Sequence, residues 1–294
     1  MRSEKHMLDL ILHTARQDER VRAVILNGSR ANPHAKRDIF QDFDVVYIVE
    51  DLVPFLADST WIERFGELMI LQKPDEMQTA TPEQYNSFTY LMQFMDGNRI
   101  DLTLFPLDQL DNLEKDSLSV VLLDKDGILP IMPAPNEADY LPKLPSAKAF
   151  EDCCNEFWWV CPYAAKGLWR GEILYARHMV DQVLREQLMQ MLTWYIGIKT
   201  DFKVNPGKLG KHFQAYLDPM LWQQLLSTYA EADYQKTWGA LFSMVGLFRQ
   251  VANAIAERLS FIYPAQDDEN VTKHLRVVRG LPADAQDIYP DLTD

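Results

Sequence analysis

Two aspartates one residue apart, Asp42 and Asp44, open an otherwise apolar run, Val45-Val46-Tyr47-Ile48-Val49. Alternate side chains on a strand share a face, so both carboxylates project the same way, with Cα atoms about 7 Å apart. Carboxylates that close repel unless a cation lies between them, and oxygen ligands favour a hard divalent ion such as Mg²⁺. Just upstream, Asn27-Gly28-Ser29 breaks a second apolar run over residues 21–26. Glycine permits close backbone approach there, and a Ser hydroxyl beside backbone N–H groups can hold a phosphate oxygen. Acid pair and turn together indicate metal-assisted phosphoryl or nucleotidyl transfer. A third acid, Asp101, stands in Ile100-Asp101-Leu102-Thr103-Leu104-Phe105 and points away from Ile100, Leu102 and Leu104. If its strand lies beside that of Asp44, three carboxylates converge at one end of a sheet. The alternative, that surface strands simply carry Asp, is disfavoured because Asp is depleted in strands and both runs are otherwise apolar.

The elements that must position these residues read as follows. Met7, Leu8, Ile11, Leu12 and Ala15 recur at helical spacing, predicting a first helix over residues 4–18. Residues 21–26 suit a central strand buried on both faces. Apolar spacing at Phe55, Leu56, Trp61, Ile62 and Phe65 after a proline predicts a helix over 54–71. Strands are expected at 68–71 and 88–94, separated by a Pro-containing loop. Asp96-Gly97-Asn98 is a hairpin turn signal leading into the strand of Asp101. A short helix follows from Pro106-Leu107-Asp108, and residues 119–123 read as an edge strand. Five prolines, at 130, 133, 135, 142 and 145, mark a domain boundary. Beyond it, residues 147–200 and 218–262 carry helical patterns whose aromatics read as core, interrupted by the basic loop Gly207-Lys208-Leu209-Gly210-Lys211. From Ala265 the chain turns polar, which predicts a loosely held tail. The expected fold is α+β. An N-terminal mixed β-sheet with flanking helices (1–135) precedes a C-terminal helical bundle (146–262) and a polar tail (263–294), with the active site expected between the two domains.

Composition narrows the function classes. The 294-residue chain has a formal net charge of −14, with its Lys and Arg dispersed among more numerous acids, which argues against a nucleic-acid partner. The acidity suits plain solubility, or attraction of a cationic substrate. No run approaches the eighteen or so apolar residues of a membrane span, and no signal-peptide core follows the N-terminus. Cys153, Cys154 and Cys161 lack zinc-site spacing; they read as buried small hydrophobes in a reducing cytoplasm. His34, His178 and His212 stand singly. The strand follows the acid pair instead of preceding it, unlike haloacid-dehalogenase phosphatases and many glycosyltransferases. Neither G-x-x-x-x-G-K-[ST] nor G-x-G-x-x-G occurs.

An apolar strand, Gly-Ser, twelve residues, Asp-x-Asp, an apolar strand and a later strand Asp: this order resembles the DNA polymerase β-like nucleotidyltransferase superfamily. More narrowly, Gly28-Ser29-Arg30-Ala31-Asn32 with Phe40-Gln41-Asp42-Phe43-Asp44 resembles the aminoglycoside 6-adenylyltransferases, which modify streptomycin. The likeness extends through Met1-Arg2-Ser3-Glu4-Lys5, Gln17-Asp18-Glu19-Arg20, Ile100-Asp101-Leu102-Thr103-Leu104, Asp152-Cys153-Cys154-Asn155-Glu156-Phe157-Trp158 and Ala256-Glu257-Arg258-Leu259, and fades after Asn270.

The resemblance implies ATP bound with its phosphates over Gly28 and Ser29, Mg²⁺ held by Asp42 and Asp44, and Asp101 joining them around a second ion. A two-metal arrangement stabilises both the attacking and the leaving oxygen. The streptomycin 6-hydroxyl attacks the α-phosphorus and pyrophosphate leaves. Asp101 is either a metal ligand or the acceptor of the hydroxyl proton. Arg30 is either a phosphate contact or an ion-pair partner. Lys203, Lys208 and Lys211 are candidates to neutralise the outer phosphates, Lys208 foremost because of its flanking glycine; a solvated loop is the alternative. Guanidinium groups on streptomycin call for acids and aromatic faces. Glu151, Asp152, Glu156, Trp158 and Trp159 are the candidates, each also open to a purely structural reading. Two other functions fit less well. One is a nucleotidyltransferase with another small-molecule or protein acceptor. The other is a non-catalytic regulatory module, a class of typically short single domains, whereas this chain adds a helical domain.

Overall fold

The computed structural model describes residues 1–77 and 86–289, so the expected loop around Pro82 and the last five residues fall outside the described chain. Two compact units divide at the proline-rich stretch, Met1–Asp139 and Tyr140–Asp294.

The first unit is a six-stranded sheet. Helix α1 (Glu4–Gln17) starts at Ser3, whose hydroxyl accepts the His6 N–H, and it buries Met7, Ile11 and Ala15. Strand β1 (Val21–Asn27) leads through a one-turn helix α2 (Gly28–Ala31) to β2 (Phe43–Val49). The helix expected over 54–71 is instead broken into α3 (Val53–Ala57), a 3₁₀ turn (Trp61–Phe65) and strand β3 (Leu68–Gln72). Asp58 causes the first break by accepting both the backbone and hydroxyl protons of Thr60. Gly66, at φ +131°, makes the second. Strands β4 (Phe88–Phe94) and β5 (Arg99–Pro106) form the expected hairpin, with Gly97 at φ +87° in its turn. The helix expected after Pro106 is a 3₁₀ segment, Leu107–Asn112, and β6 (Ser119–Asp124) is an edge strand as expected.

The strand order is β3-β4-β5-β2-β1-β6, and every neighbouring pair is antiparallel except β2 and β5, which run parallel. One sheet face carries the larger core. Phe43, Val45, Tyr47, Ile100, Leu102 and Leu104 pack there with α1, Phe55, Trp61 and Phe65. The other face buries Ala23, Ile25, Val46 and Ile48 under the segments holding Leu110, Leu113 and Ile128. Both faces of the central strands are thus covered, as the apolar runs predict.

The second unit is helical. Helix α4 (Ala147–Trp169) begins at Ser146, which accepts the Ala149 N–H, and buries Cys153, Cys154 and Cys161, all free thiols. Helix α5 (Ile173–His178) runs through a π-turn (Met179–Leu184) into α6 (Arg185–Lys199). Short α7 (Phe213–Tyr216) and α8 (Pro219–Ser227) precede α9 (Tyr234–Leu259). Phe157 of α4 stacks on Phe248 of α9 with ring centroids 3.7 Å apart. Among the described residues α9 is the one helix long and apolar enough to cross a membrane, yet it buries Trp238, Leu241, Met244 and Phe248 in this core. The segment expected as a loose polar tail is instead helix α10 (Ala265–Gly280), which packs on α4 through Leu275 and Val278. Its polarity hides a buried ionic anchor: Asp268 accepts from both ends of the Arg249 guanidinium and from Tyr263 and Thr272.

Candidate active site

Strand register assembles the acids. Asp44 on β2 pairs with Asp101 on β5 and, on its other side, with Asn27 on β1. Asn27 pairs with Ser119 on β6, whose hydroxyl donates to the Asn27 side-chain oxygen at 2.8 Å, and Asp101 pairs with Leu91 on β4. The result is a straight row across the sheet: Ser119, Asn27, Asp44, Asp101, Leu91. A parallel pair keeps both strands starting at the same sheet end, so Asp44 and Asp101 lie side by side near their beginnings. Asp42 sits just before β2, half-buried.

The turn after β1 closes over this row. Gly28, at φ +69°, donates its N–H to the Leu118 carbonyl at 2.9 Å. A Cβ on Gly28 would lie 2.4 Å from Asp44 Oδ2, so only glycine lets the turn approach the carboxylate this closely. Ser29 follows on α2, partly exposed. The turn therefore approaches Asp44 at Gly28, with Ser29 the next residue along.

The electrostatics are those of a site short of positive charge. Burial, then Asp101 and Asp42, push the Asp44 carboxyl up to about 6. Asp116 adds to that crowding. Asp42 is also raised, chiefly by burial, with Arg99 opposing the rise. No three described His, Cys, Asp or Glu side chains form a ready-made metal cage. Among the acids lies a residue that sequence reasoning missed. Arg99 grips Asp101 with two parallel hydrogen bonds of 2.7 Å, occupying both carboxylate oxygens, and its Nε lies 3.7 Å from Asp42. The signal was available: Arg99 and Asp101 are two apart on one strand, hence on one face. The donor chemistry of the acids, all oxygen and excess negative charge, fits a hard divalent cation. Beside them, the open face of β3–β5 holds a groove of about 800 Å³ lined by Ile70, Gln72, Lys73, Leu91, Gln93 and Arg99.

Two expectations are corrected by the structure. Arg30 is enclosed and is not the surface ion-pair residue of the alternative reading. It is 8% exposed, stacks on Phe43 at 3.7 Å, and donates to the backbone carbonyls of Gln41 and Asp42 at 2.7 and 2.9 Å. Glu4 lies 3.3 Å away as its counter-charge. Arg30 thus anchors the backbone that carries Asp42. Trp158 is 2% exposed in the helical core, edge-on to Phe157 and Phe248, so it has no face for a ligand. Glu151, Asp152, Glu156 and Trp159 lie on the exposed face of α4, Asp152 bonded to Lys148. Lys203, Lys208 and Lys211 are exposed on the second unit; Lys208 and Lys211 occupy a turn with Gly207 at φ +76° and Gly210 at φ +75°.

Comparison with known proteins decides what this arrangement belongs to. The streptomycin adenylyltransferase family matches residues 1–278. The chain belongs to that family. An aminoglycoside 6-adenylyltransferase of Bacillus subtilis (strain 168) is 41% identical over 276 residues, which cover 93% of this chain and 97% of that one. Another from Campylobacter jejuni is 41% identical over 270 residues, covering 92% and 93%. The crystal structure of an aminoglycoside 6-adenyltransferase from Bacillus subtilis aligns with 96% of this chain and all of its own at 37% identity, with a TM-score of 0.47. As a member of this adenylyltransferase family, the chain is a nucleotidyltransferase, and ATP is the nucleotide such an activity implies.

Proposed function

We propose that this enzyme transfers AMP from ATP to the 6-hydroxyl of streptomycin in the cytoplasm, releasing pyrophosphate and conferring resistance. The observation carrying the reading is the registered pair Asp44–Asp101 with Asp42 at its end and Gly28 pressed against it, in a chain 41% identical to an aminoglycoside 6-adenylyltransferase over nearly its whole length.

Asp42, Asp44 and Asp101 are the residues that would hold Mg²⁺. Bound there, the ion would supply positive charge where negative charge develops on the transferred phosphoryl group. The remaining work falls to the chain itself. Gly28 keeps the turn low enough for the phosphates to approach Asp44, and Ser29 offers a hydroxyl to a phosphate oxygen. Arg30 fixes the carbonyls at 41 and 42 and so the direction of Asp42. The acceptor oxygen bonds to the α-phosphorus as its proton passes to Asp101 or to water and the bond to the bridging oxygen breaks, and pyrophosphate carries off the electron pair. Lys208 and Lys211 supply positive charge suited to the triphosphate. Glu151, Asp152, Glu156 and Trp159 offer the carboxylates and the aromatic face that guanidinium groups favour.

Incubation with labelled ATP, Mg²⁺ and a panel of aminoglycosides tests this. Streptomycin-dependent pyrophosphate release is expected, and no turnover with any aminoglycoside would remove the acceptor assignment. Asp42→Asn, Asp44→Asn and Asp101→Asn should each cut turnover at least a hundredfold with the fold retained by circular dichroism.

A further inference from the structure

Arg99 stands where a nucleotidyltransferase needs a cation. It leaves β5 two residues before Asp101 on the same face, and its fork covers both oxygens of that carboxylate at 2.7 Å. The same Nε lies 3.7 Å from Asp42, just before the neighbouring strand β2. Fork-on-fork pairing of this kind is the strongest geometry Arg and a carboxylate make. A divalent ion seeking an Asp101 oxygen therefore meets a position already taken. Yet the Arg99 side chain is 39% exposed. It faces Gln93 across the β4–β5 pair and borders the open groove with Gln72 and Leu91, so there is room for it to move aside.

We infer that Arg99 is the resident counter-cation of the acid row, holding Asp101 and Asp42 in the metal-free enzyme and yielding them to the divalent ion, so that it sets how tightly the bare protein binds that ion. The inference rests on the metal reading of Asp42, Asp44 and Asp101 given above. Its consequence is ordered loading. A bare metal ion must displace an ion pair, whereas a metal–triphosphate complex brings phosphate oxygens that can take over the displaced guanidinium. Arg99 is in this sense a positioning residue that acts through the carboxylates.

The test uses the full chain without ATP or aminoglycoside and follows free Mn²⁺ by electron paramagnetic resonance. Arg99→Met should bind Mn²⁺ about tenfold more tightly than the parent, a change of about 1.4 kcal/mol. Arg99→Lys, which keeps the charge but loses the fork and is the milder change should the methionine variant fold poorly, should fall between the two. Adding Asp101→Asn to Arg99→Met should cancel the gain. In EDTA the Arg99→Met variant should melt earlier than the parent, because the acids then repel unscreened, and Mn²⁺ should restore it by a larger shift than it gives the parent. If Arg99→Met binds Mn²⁺ no better than the parent while Asp44→Asn weakens binding in both, the metal site stands and the counter-cation inference is overturned. If Asp44→Asn leaves Mn²⁺ binding unchanged in both backgrounds, the metal reading itself fails.

Discussion

Gly28→Ala puts the closest contact in the site under direct test. Two costs follow from the structure. The backbone sits at φ +69°, where an L-residue with a Cβ costs about 1–2 kcal/mol. The new Cβ would also meet Asp44 Oδ2 at 2.4 Å, and ordinary contact begins near 3.4 Å, so turn and carboxylate must part by about 1 Å. Overpacking of that size costs a further 1–3 kcal/mol or so, and misplacing a catalytic group by about 1 Å lowers rate by about a hundredfold. Urea unfolding and saturating pyrophosphate-release kinetics measure the two effects separately. A cycle with Asp44→Ala isolates the contact. With the carboxylate gone, Gly28→Ala should cost only the backbone contribution of about 1–2 kcal/mol. Full turnover in Gly28→Ala, or an equal stability cost with and without the Asp44 side chain, would refute the argument that this close approach places Asp44.

Three further outcomes are expected. Asp44 carries a raised carboxyl, so the folded state holds a proton that the unfolded state has released between about pH 4 and pH 6. Metal-free stability should therefore fall as pH rises through that window, and Asp44→Asn should gain on the parent by about 1–2 kcal/mol above pH 6 in EDTA melts, with a pH-independent difference counting against it. Arg30→Ala should destabilise the first unit by about 2–3 kcal/mol in urea and lower kcat while leaving the KM for ATP unchanged; a raised KM alone would favour a phosphate contact instead. Arg249→Ala strands the buried Asp268 carboxylate and should cost about 2–3 kcal/mol, detached α10 appearing as new protease sensitivity near residues 265–280, whereas an unchanged urea midpoint would show the pair contributes little.

The parts of the site legible in the sequence are those governed by local rules. Strand alternation puts Asp42 and Asp44 on one face, Asp96-Gly97-Asn98 dictates the hairpin that delivers Asp101, and apolar runs mark strands covered on both sides. Long-range partners decide the rest. Nothing near Arg30 in sequence reveals that Phe43 and the 41–42 carbonyls will enclose it. Trp158 and Trp159 differ only in helical phase, and α9 determines which of them is buried. Helix α10 looks like a tail because its polar residues outnumber its apolar ones, while its attachment depends on Arg249 and Tyr263 from outside the segment. The break at Asp58 shows how one side chain capping its own backbone interrupts a run of helix-compatible spacing.

The single parallel pairing in the sheet has a bearing on biosynthesis. Strands β1 and β2 follow one another closely in the chain, but Asp44 waits for Asp101, fifty-seven residues further on. Contacts of such sequence separation, and parallel ones above all, close late in folding. β5 lies between β4 and β2, so Asp101 is flanked on both sides only when the β4–β5 hairpin has docked on β2. A chain that ends before residue 101 has the Gly28 turn and Asp44 without their Asp101 neighbour. Such a chain lacks one of the three carboxylates proposed to hold the divalent ion.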